Sequence, residues 1–308
     1  MHSLHMPMDE FEFIDWIRRQ KVLASDVVGV GPGDDCAVLR IDREQVLLTT
    51  DQCADGVHFV LSMAGAEAAG YKVMARNLSD IAAMAALPMA AVATVMLPRG
   101  MAEGDVQEIY RGLRRSADAF GCPIVGGDVA SWDGRLLLTV TLLGRPAVGK
   151  PILRSGAKVG DAICVTGTLG GSLPSGKHLN FTPRIREAAD LAGRVELHAM
   201  IDISDGLAAD LGHICRESGV GAELVAKDVP LSPAAQEAED PLEAALSDGE
   251  DYELLFTLPA EQAQALIKEQ PVEAGISRIG KIVAGTGMKL RSGRTTKPLE
   301  PRGYRHRA

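Results

Sequence analysis

Acidic residues recur in short turns along the chain, and this repetition points to a site that binds divalent cations. The acid-bearing segments are DD at 34–35, TTD at 49–51, NLSD at 77–80, GGD at 126–128, DISDG at 202–206 and GED at 249–251. A single acid of this kind, such as Asp205, is better explained as a helix cap. Six of them in one acidic chain, with few basic residues beside them, fit a site where several cations bind phosphate groups.

The segment 29–58 must position the first of these acids. Two short apolar runs flank a polar turn there, which predicts a β-hairpin. We expect Asp35 to enter the first strand and Asp51 to leave the second, so antiparallel pairing brings both to one end of the hairpin. For Asp34 and Asp35 alone, a solvated turn with ordinary surface acids is the simpler interpretation, and the later acids are what favour a metal site.

A long helical pattern covers residues 65–86 and carries the next two polar groups. Asn77 and Asp80 lie three residues apart and therefore share a face beside an apolar stripe. A helix surface that meets solvent is one interpretation. A buried functional carboxylate fits the Ala- and Met-rich surroundings better, and Pro88 is predicted to end the helix. A first helix is also predicted over residues 10–19.

Length and patterning predict two domains built from mixed sheets. The 308 residues suggest an N-terminal domain over 1–148 and a C-terminal domain over 149–308, divided where Gly, Pro and basic residues accumulate. Strands alternate with helices throughout, yet hairpins are present. The fold class is therefore predicted to be mixed α/β or α+β. Among the shorter elements, strands are expected at 123–125 and 252–257, and a helix capped by Thr182 is expected to extend to residue 192.

Charge, hydropathy and cysteine usage exclude several function classes. The net charge of −9 disfavours a nucleic-acid partner, and no apolar run approaches the roughly 20 residues of a membrane helix. The five cysteines are odd in number and scattered, without any CxxC spacing. This usage argues against a disulfide framework or a zinc site and predicts a cytoplasmic protein.

Two glycine-rich segments resemble nucleotide-binding loops only in part. The run GSLPSGK ends at Lys177, but His178 stands where a P-loop needs Ser or Thr for Mg²⁺. The glycines at 29, 31 and 33 do not have the spacing of a dinucleotide fingerprint. No Ser-His-Asp or Cys-His arrangement can be read from the order of residues, and His213 is interpreted as a structural histidine.

Taken together, the motifs resemble those of the thiamine-monophosphate kinase family, within the aminoimidazole-ribonucleotide-synthetase-like superfamily. The matching segments, in order along nearly the whole chain, are GPGDDCAVL, TTDQCADGVHF, NLSDIAAM, GGDVASWDG, RSGAKVGD, DISDGLAADLGHI and GEDYELLFT. The resemblance implies an N-terminal domain whose sheet pairs with a second subunit in a homodimer, and a C-terminal α/β domain. It also implies ATP- and Mg²⁺-dependent phosphorylation of thiamine monophosphate to thiamine diphosphate.

The resemblance also implies roles for individual residues. Asp51, Asp80 and Asp128 are the implied catalytic acids, and Tyr110, Gly127, Asp128, Arg154 and Ser204 are the implied ATP contacts. Implied substrate contacts are His58 and Glu250, with Tyr304 as the aromatic residue near the chain end. The implied Mg²⁺ ligands are Asp35, Thr49, Thr50, Asp51, Asp80, Asp128, Asp202 and Asp205.

Two segments depart from the family pattern. The family usually ends in an aromatic residue that packs on the substrate, whereas this chain ends with Gly303-Tyr304-Arg305-His306-Arg307. The loop 170–181 is also unlike that of commoner members. A guanidinium at position 307 would repel a thiazolium cation, so thiamine monophosphate is predicted to bind less tightly than in relatives.

The predicted reaction is direct, in-line phosphoryl transfer. A phosphate monoester carries nearly two charges at neutral pH, its second pKa being about 6, and needs no base to act as a nucleophile. This explains a site rich in Asp that has no evident His or Cys nucleophile. Two alternatives remain: an ATP-dependent cyclo-ligase or amidine-forming synthetase of the same superfamily acting on a purine precursor, and a non-catalytic nucleotide-binding homologue.

Overall fold

The structure, a computed structural model, describes residues 26–304 together with Trp16 and Arg19. Apart from Trp16 and Arg19, the helix predicted over residues 10–19 lies outside the described residues. Arg305, His306 and Arg307, on which the prediction of weaker substrate binding rests, also lie outside them. No helix in the described part of the chain is both long and apolar enough to cross a membrane.

The first half of the chain forms a six-stranded mixed sheet in the order β1-β2-β3-β6-β4-β5. The predicted hairpin is confirmed, since β2 and β3 pair antiparallel with Ile41 opposite Glu44. Strands β4 and β5 are parallel, and the other pairs are antiparallel. The strands are β1 (Val28–Val30), β2 (Ala37–Ile41), β3 (Glu44–Ala54), β4 (Ala86–Pro98), β5 (Ile124–Trp132) and β6 (Leu137–Pro146).

The second half forms a seven-stranded sheet in the order β13-β12-β9-β11-β7-β10-β8. It is also mixed, because β12 and β9 are parallel while the other neighbours are antiparallel. The prediction of mixed sheets is therefore confirmed. The strands are β7 (Ala162–Thr166), β8 (Ala199–Asp202), β9 (Gly221–Val225), β10 (Leu254–Leu258), β11 (Ile276–Val283), β12 (Met288–Ser292) and β13 (Thr295–Leu299).

One long helix, α2, lies between the two sheets and contacts both of them. It also crosses α3 closely, because glycines stand at the crossing: a Cβ on Gly70 would lie 2.1 Å from the Ile109 carbonyl oxygen, and one on Gly112 would lie 1.9 Å from that of Glu67. The helices are α1 (Leu61–Ala64), α2 (Ala66–Ala83), α3 (Glu103–Ala119), α4 (Ser172–Ser175), α5 (Ile185–Arg194), α6 (Leu207–Ser218), α7 (Pro233–Gln236), α8 (Pro241–Ser247) and α9 (Ala260–Glu269).

The largest hydrophobic core joins the two halves. Leu78 and Ile81 of α2 belong to the same buried cluster as Leu191 of α5 and Phe256 of β10. Each such side chain contributes about 1.5–3 kcal/mol when it is fully buried. This shared packing fixes acids from the first half relative to acids from the second. The division into domains at residue 148 stays a prediction.

The predicted end of the long helix is wrong. The helix ends at Ala83, the chain turns where Ala85 has a φ of +49°, and β4 begins at Ala86. Pro88 lies within that strand, beside a register shift in its pairing with β6. A proline has no N–H for the ladder, so an irregular position suits it. The predicted start agrees with the structure, in which Gly65 is the N-cap residue of α2, whereas the short helix α1 before it was not predicted.

Several other predicted boundaries are also corrected. Asp51 lies inside β3, opposite Val140, and does not leave the strand. The GGD segment is part of β5 and does not follow it. The strand predicted over 123–125 is longer, because β5 pairs with β4 as far as residue 132. The helix after Thr182 begins only at residue 185, and its N-cap residue Arg184 makes no side-chain cap. Sequence reasoning missed the short elements β1, β9, β13, α1, α4 and α8.

Candidate active site

Three carboxylates from distant parts of the chain meet between the two sheets. Asp35 precedes β2, Asp80 lies in α2, and Asp202 ends β8. One oxygen of each lies within 4.8 Å of one from each of the others. Ionised acids at this spacing repel each other, so the arrangement requires protons, a bound cation or a basic side chain close by. We call Asp35, Asp80 and Asp202 the carboxylate cluster.

Burial and mutual repulsion hold protons on this cluster. Burial, followed by the nearby charge of Asp35, raises the pKa of Asp202 to about 7. Burial also raises the pKa of Asp80 well above its usual value, with Asp51 and Asp202 adding to the effect. A bound divalent cation would favour the ionised carboxylates and release these protons.

Two hydroxyl groups orient the cluster. The Thr49 hydroxyl donates a hydrogen bond of 2.5 Å to Asp80, and the Ser79 hydroxyl donates one of 2.5 Å to Asp202. Thr49 and Ser79 are both buried, so these short contacts lie away from bulk water. The neighbouring Thr50 bonds instead to β6, through the Val140 carbonyl and the Thr141 hydroxyl. Of the two predicted threonine ligands, Thr49 is the one that contacts the cluster.

Arg154 binds the acidic turn that begins the first hairpin. Its guanidinium donates hydrogen bonds of 2.8 and 3.1 Å to the two oxygens of Asp35. Its backbone N–H donates to Asp34 at 3.2 Å. Burial, followed by the charge of Asp35, raises the pKa of Asp34 to about 7. The predicted nucleotide contact Arg154 and the predicted metal ligand Asp35 are therefore direct neighbours.

Asp51 lies beside the cluster on β3. Its carboxylate is 3.1 Å from Arg76 Nε, and its backbone N–H donates to Asn77 Oδ1 at 3.1 Å. Asn77 is completely buried, and its amide also donates to the Val73 carbonyl at 2.8 Å. The predicted polar face of α2 thus exists, but Asn77 holds the β3 backbone while Asp80 enters the cluster.

The structure does not bring Asp128, Gly127 or Tyr110 to the cluster within one chain. Strand β5 is the edge of its sheet, and Gly127 lies in the row that continues through Ala93 and Val140 to Asp51. Three strand spacings amount to roughly 14 Å. Asp128 is exposed on this edge, and Tyr110 is exposed on α3.

Gly303 and Tyr304 pack against the second acidic turn, residues 202–206. The Tyr304 backbone donates a hydrogen bond of 3.0 Å to the Asp205 carbonyl. A Cβ on Gly303 would lie 2.3 Å from the same oxygen, so a larger residue would not fit there. Asp205 also forms a second acidic group with Asp210 and His213, whose ligand atoms lie within 4.8 Å of one another. Burial raises the pKa of Asp210 well above its usual value.

One functional candidate that sequence reasoning missed is Lys72, which is completely buried on α2. Its ammonium donates to the His58 carbonyl at 2.8 Å and to Glu250 Oε2 at 2.6 Å. The two predicted substrate contacts, one from each half of the chain, therefore share this lysine. The spacing of Lys72, Arg76 and Asp80, four residues apart each time, was the available signal for a polar stripe on this helix.

The loop that resembles a P-loop has a different arrangement. Lys177 follows the four-residue helix α4 and begins a 3₁₀ turn. Its ammonium lies 3.0 Å from Glu253, which also receives hydrogen bonds of 2.7 Å from Arg184. The lysine is thus paired with a buried carboxylate. Gly170, Lys177 and Glu253 line one cavity of about 820 Å³, away from the carboxylate cluster.

Comparison with known proteins identifies the family. The AIR synthase related protein models match over both halves, the N-terminal domain at residues 33–145 and the C-terminal domain at residues 158–293. The thiamine-monophosphate kinase of Rhodopirellula baltica is 41% identical over 295 residues, which cover 91% of this chain and 92% of the relative. This chain belongs to the thiamine-monophosphate kinase family.

Further relatives support the assignment to the thiamine-monophosphate kinase family. The kinase of Aquifex aeolicus is 32% identical over 325 residues, covering 97% of this chain and 98% of the relative. A solved structure described as AaThiL complexed with AMPPCP and TMP is 32% identical, covers 97% of each chain and superposes with a TM-score of 0.82. The family's two-domain fold, with its two mixed sheets, is therefore the fold of this chain.

Proposed function

We propose that this protein transfers the γ-phosphate of ATP to thiamine monophosphate and so forms thiamine diphosphate. Family membership over almost the whole chain supports this activity. The observation that carries it is the carboxylate cluster, which draws Asp35, Asp80 and Asp202 from both halves of the chain. The phosphates of ATP and of a phosphate monoester repel each other unless cations neutralise their charge, and this cluster offers the oxygen donors for such cations.

The residues present fit Mg²⁺. This ion prefers oxygen ligands and binds through one or two carboxylates together with substrate phosphates and water. Asp35, Asp80 and Asp202 would hold it, with Asp51 beside them on β3. When bound, Mg²⁺ would neutralise charge on the phosphates and stabilise the charge that develops in transfer. Thr49, Thr50, Asp128 and Asp205 are further proposed ligands, of which Thr49 contacts Asp80 directly.

The chain's own residues bind phosphate and balance charge in this reaction. Arg154 is proposed to bind ATP phosphate, since its guanidinium reaches the acidic turn at the cluster. Arg76, paired with Asp51, keeps the charge on that acid balanced. The acceptor phosphate supplies its own nucleophilic oxygen, so no protein base is needed and transfer is direct. Positioning and charge neutralisation are then the whole of the protein's contribution.

The organic part of the substrate is proposed to meet His58, Glu250 and Tyr304. Lys72 links the first two of these, and Tyr304 is held by the Asp205 carbonyl beside the second acidic turn. For ATP, the proposed contacts besides Arg154 are Ser204, on that same turn, and Tyr110 and Gly127. The last two lie away from the cluster within one chain.

We propose a homodimer that covers exposed apolar side chains of strands β4, β5 and β6 in the first sheet. Five large apolar side chains on the neighbouring strands β4, β5 and β6 are 39–65% exposed. Several exposed apolar side chains on adjacent strands are typical of a surface that binds another protein. These side chains are Met89, Val92, Val125, Val129 and Leu143. A second copy of the chain is the proposed partner, because a symmetric pair would cover the same patch on both subunits.

The scattered, free and buried cysteines fit the proposed location in the cytoplasm.

The proposed function is tested by measuring ADP release with and without thiamine monophosphate, in the presence of Mg²⁺. We expect ADP to form only when thiamine monophosphate is present, with equal amounts of thiamine diphosphate. ADP release with a purine precursor in place of thiamine monophosphate would instead support the cyclo-ligase alternative. ATP binding without turnover on either would support a non-catalytic homologue.

A further inference from the structure

The buried lysine Lys72 has two partners and no exposed surface. Its ammonium contacts the His58 carbonyl at 2.8 Å and the Glu250 carboxylate at 2.6 Å. Lysine is almost never fully buried unless its charge is paired. Because the side chain is 0% exposed, the ammonium acts on a substrate through these two neighbours and not by direct contact.

Glu250 is held at each of its polar groups. Its backbone N–H donates to the Ser204 carbonyl at 2.7 Å, and its carbonyl accepts from the Ser172 hydroxyl at 2.6 Å. Its carboxylate accepts from Lys72 and still remains 20% exposed. The residue therefore presents a fixed and partly exposed carboxylate where the two halves of the chain meet.

The backbone around Glu250 is strained. Glu250 has a φ of +54° and Tyr252 has a φ of +51°, a region that residues with a side chain rarely occupy. Such strain persists only where the surroundings impose it, and it concentrates at functional sites. The hydrogen bonds from Ser172 and to Ser204 are the contacts that impose it here.

We propose that Lys72 is a positioning residue for substrate recognition: it fixes the Glu250 carboxylate relative to the His58 loop, so that both meet the cationic organic part of thiamine monophosphate. This role rests on the proposed function. A purely stabilising role explains the pair less well, because apolar residues of similar size often stabilise a core as much as a buried ion pair does. Lys72 links His58 of the first half of the chain to Glu250 of the second half, and these are the two predicted substrate contacts.

The role is tested by steady-state kinetics on Lys72→Met, Glu250→Gln and the double variant. In Lys72→Met we expect the Michaelis constant for thiamine monophosphate to rise about tenfold, while that for ATP stays within about twofold. The double variant should be no more impaired than the more impaired single variant, because both changes remove one interaction. Lys227→Met is the matched control, since that lysine is 83% exposed, and it should match the wild type.

Each other outcome overturns the role. Equal changes in both Michaelis constants, an unchanged constant for thiamine monophosphate, or single effects that multiply in the double variant would show that Lys72 does not act through Glu250. If Lys72→Met does not fold, Lys72→Arg is measured instead, since it keeps the positive charge but displaces it. An unchanged Michaelis constant for thiamine monophosphate in Lys72→Arg overturns the role. A wild type that makes no thiamine diphosphate overturns the proposed function itself, and the positioning role with it.

Discussion

Arg154 binds both carboxylate oxygens of Asp35, at 2.8 and 3.1 Å, across 119 positions of sequence. The Asp35 side chain is only 1% exposed, so the guanidinium is a close counter-charge for a buried acid. Bidentate pairs of this kind fix orientation as well as charge. The pair therefore fastens the start of the first hairpin to the segment that leads into the second half, directly beside the carboxylate cluster.

Removing one charge from the carboxylate cluster, or from Asp51 beside it, should abolish turnover without unfolding the protein. We expect Asp80→Asn and Asp51→Asn each to lower kcat by at least about 10²-fold, because each acid helps to hold a cation that stabilises transferred charge. The measurement is ADP release at saturating substrates, with circular dichroism to confirm folding. Asp118→Asn, at an exposed position on α3, is the matched control. Activity close to the wild type in folded Asp80→Asn or folded Asp51→Asn would contradict the shared metal site.

Without divalent cations, the protein should lose stability as the pH rises from about 5.5 to about 8. The pKa of Asp202 is raised to about 7, and that of an unfolded Asp is near 4. Between these values the folded state binds more protons than the unfolded state, so the free energy of unfolding falls as the pH rises. Thermal melting in chelator should therefore show a lower melting temperature at the higher pH.

Mg²⁺ should reverse this loss at the higher pH, because the cation takes the place of the protons. Asp202→Asn should flatten the pH dependence and reduce the effect of Mg²⁺. An apo-protein whose melting temperature rises across the same interval, or which Mg²⁺ does not stabilise, would contradict this account of the cluster.

Lys177→Met should leave the affinity for ATP within a few-fold of the wild type. The lysine pairs with Glu253, and its loop lacks the metal-binding hydroxyl of a P-loop. Loss of one partner of Glu253 should instead lower stability, although Arg184 still binds that carboxylate. Isothermal titration with an ATP analogue and Mg²⁺ measures the affinity. A collapse of ATP binding in a folded variant would mean that the loop does bind phosphate.

The protein should be a homodimer in solution, associated through the first sheet. We expect light scattering to give twice the chain mass, and Val129→Lys to weaken the association because it places a charge in an exposed apolar patch on the edge strand. Val159→Lys is the control, because Val159 is similarly exposed but lies in the segment between β6 and β7, outside both sheets. A monomer mass at every concentration would exclude this interface.

Local sequence patterns predicted the secondary structure and the acidic site residues better than they predicted the tertiary contacts between them. The polar turn between two apolar runs predicted the first hairpin, and the motifs around Asp35, Asp80 and Asp202 predicted one site. The end of α2 could not be predicted, because the Ala-rich run through Ala85 contains no residue that breaks a helix. The role of Lys72 depends on Glu250, 178 positions later, so only tertiary packing shows it.

The most direct test of the central claim uses ATP whose γ-phosphorus is made chiral with oxygen isotopes and sulfur. The product of reaction with thiamine monophosphate is isolated and its configuration at phosphorus is determined. Direct in-line transfer predicts labelled thiamine diphosphate with inverted configuration. Retained configuration would instead indicate a phosphorylated enzyme on the path. Breakdown of the labelled ATP to unlabelled ADP, with no label in thiamine diphosphate, would contradict the proposed activity altogether.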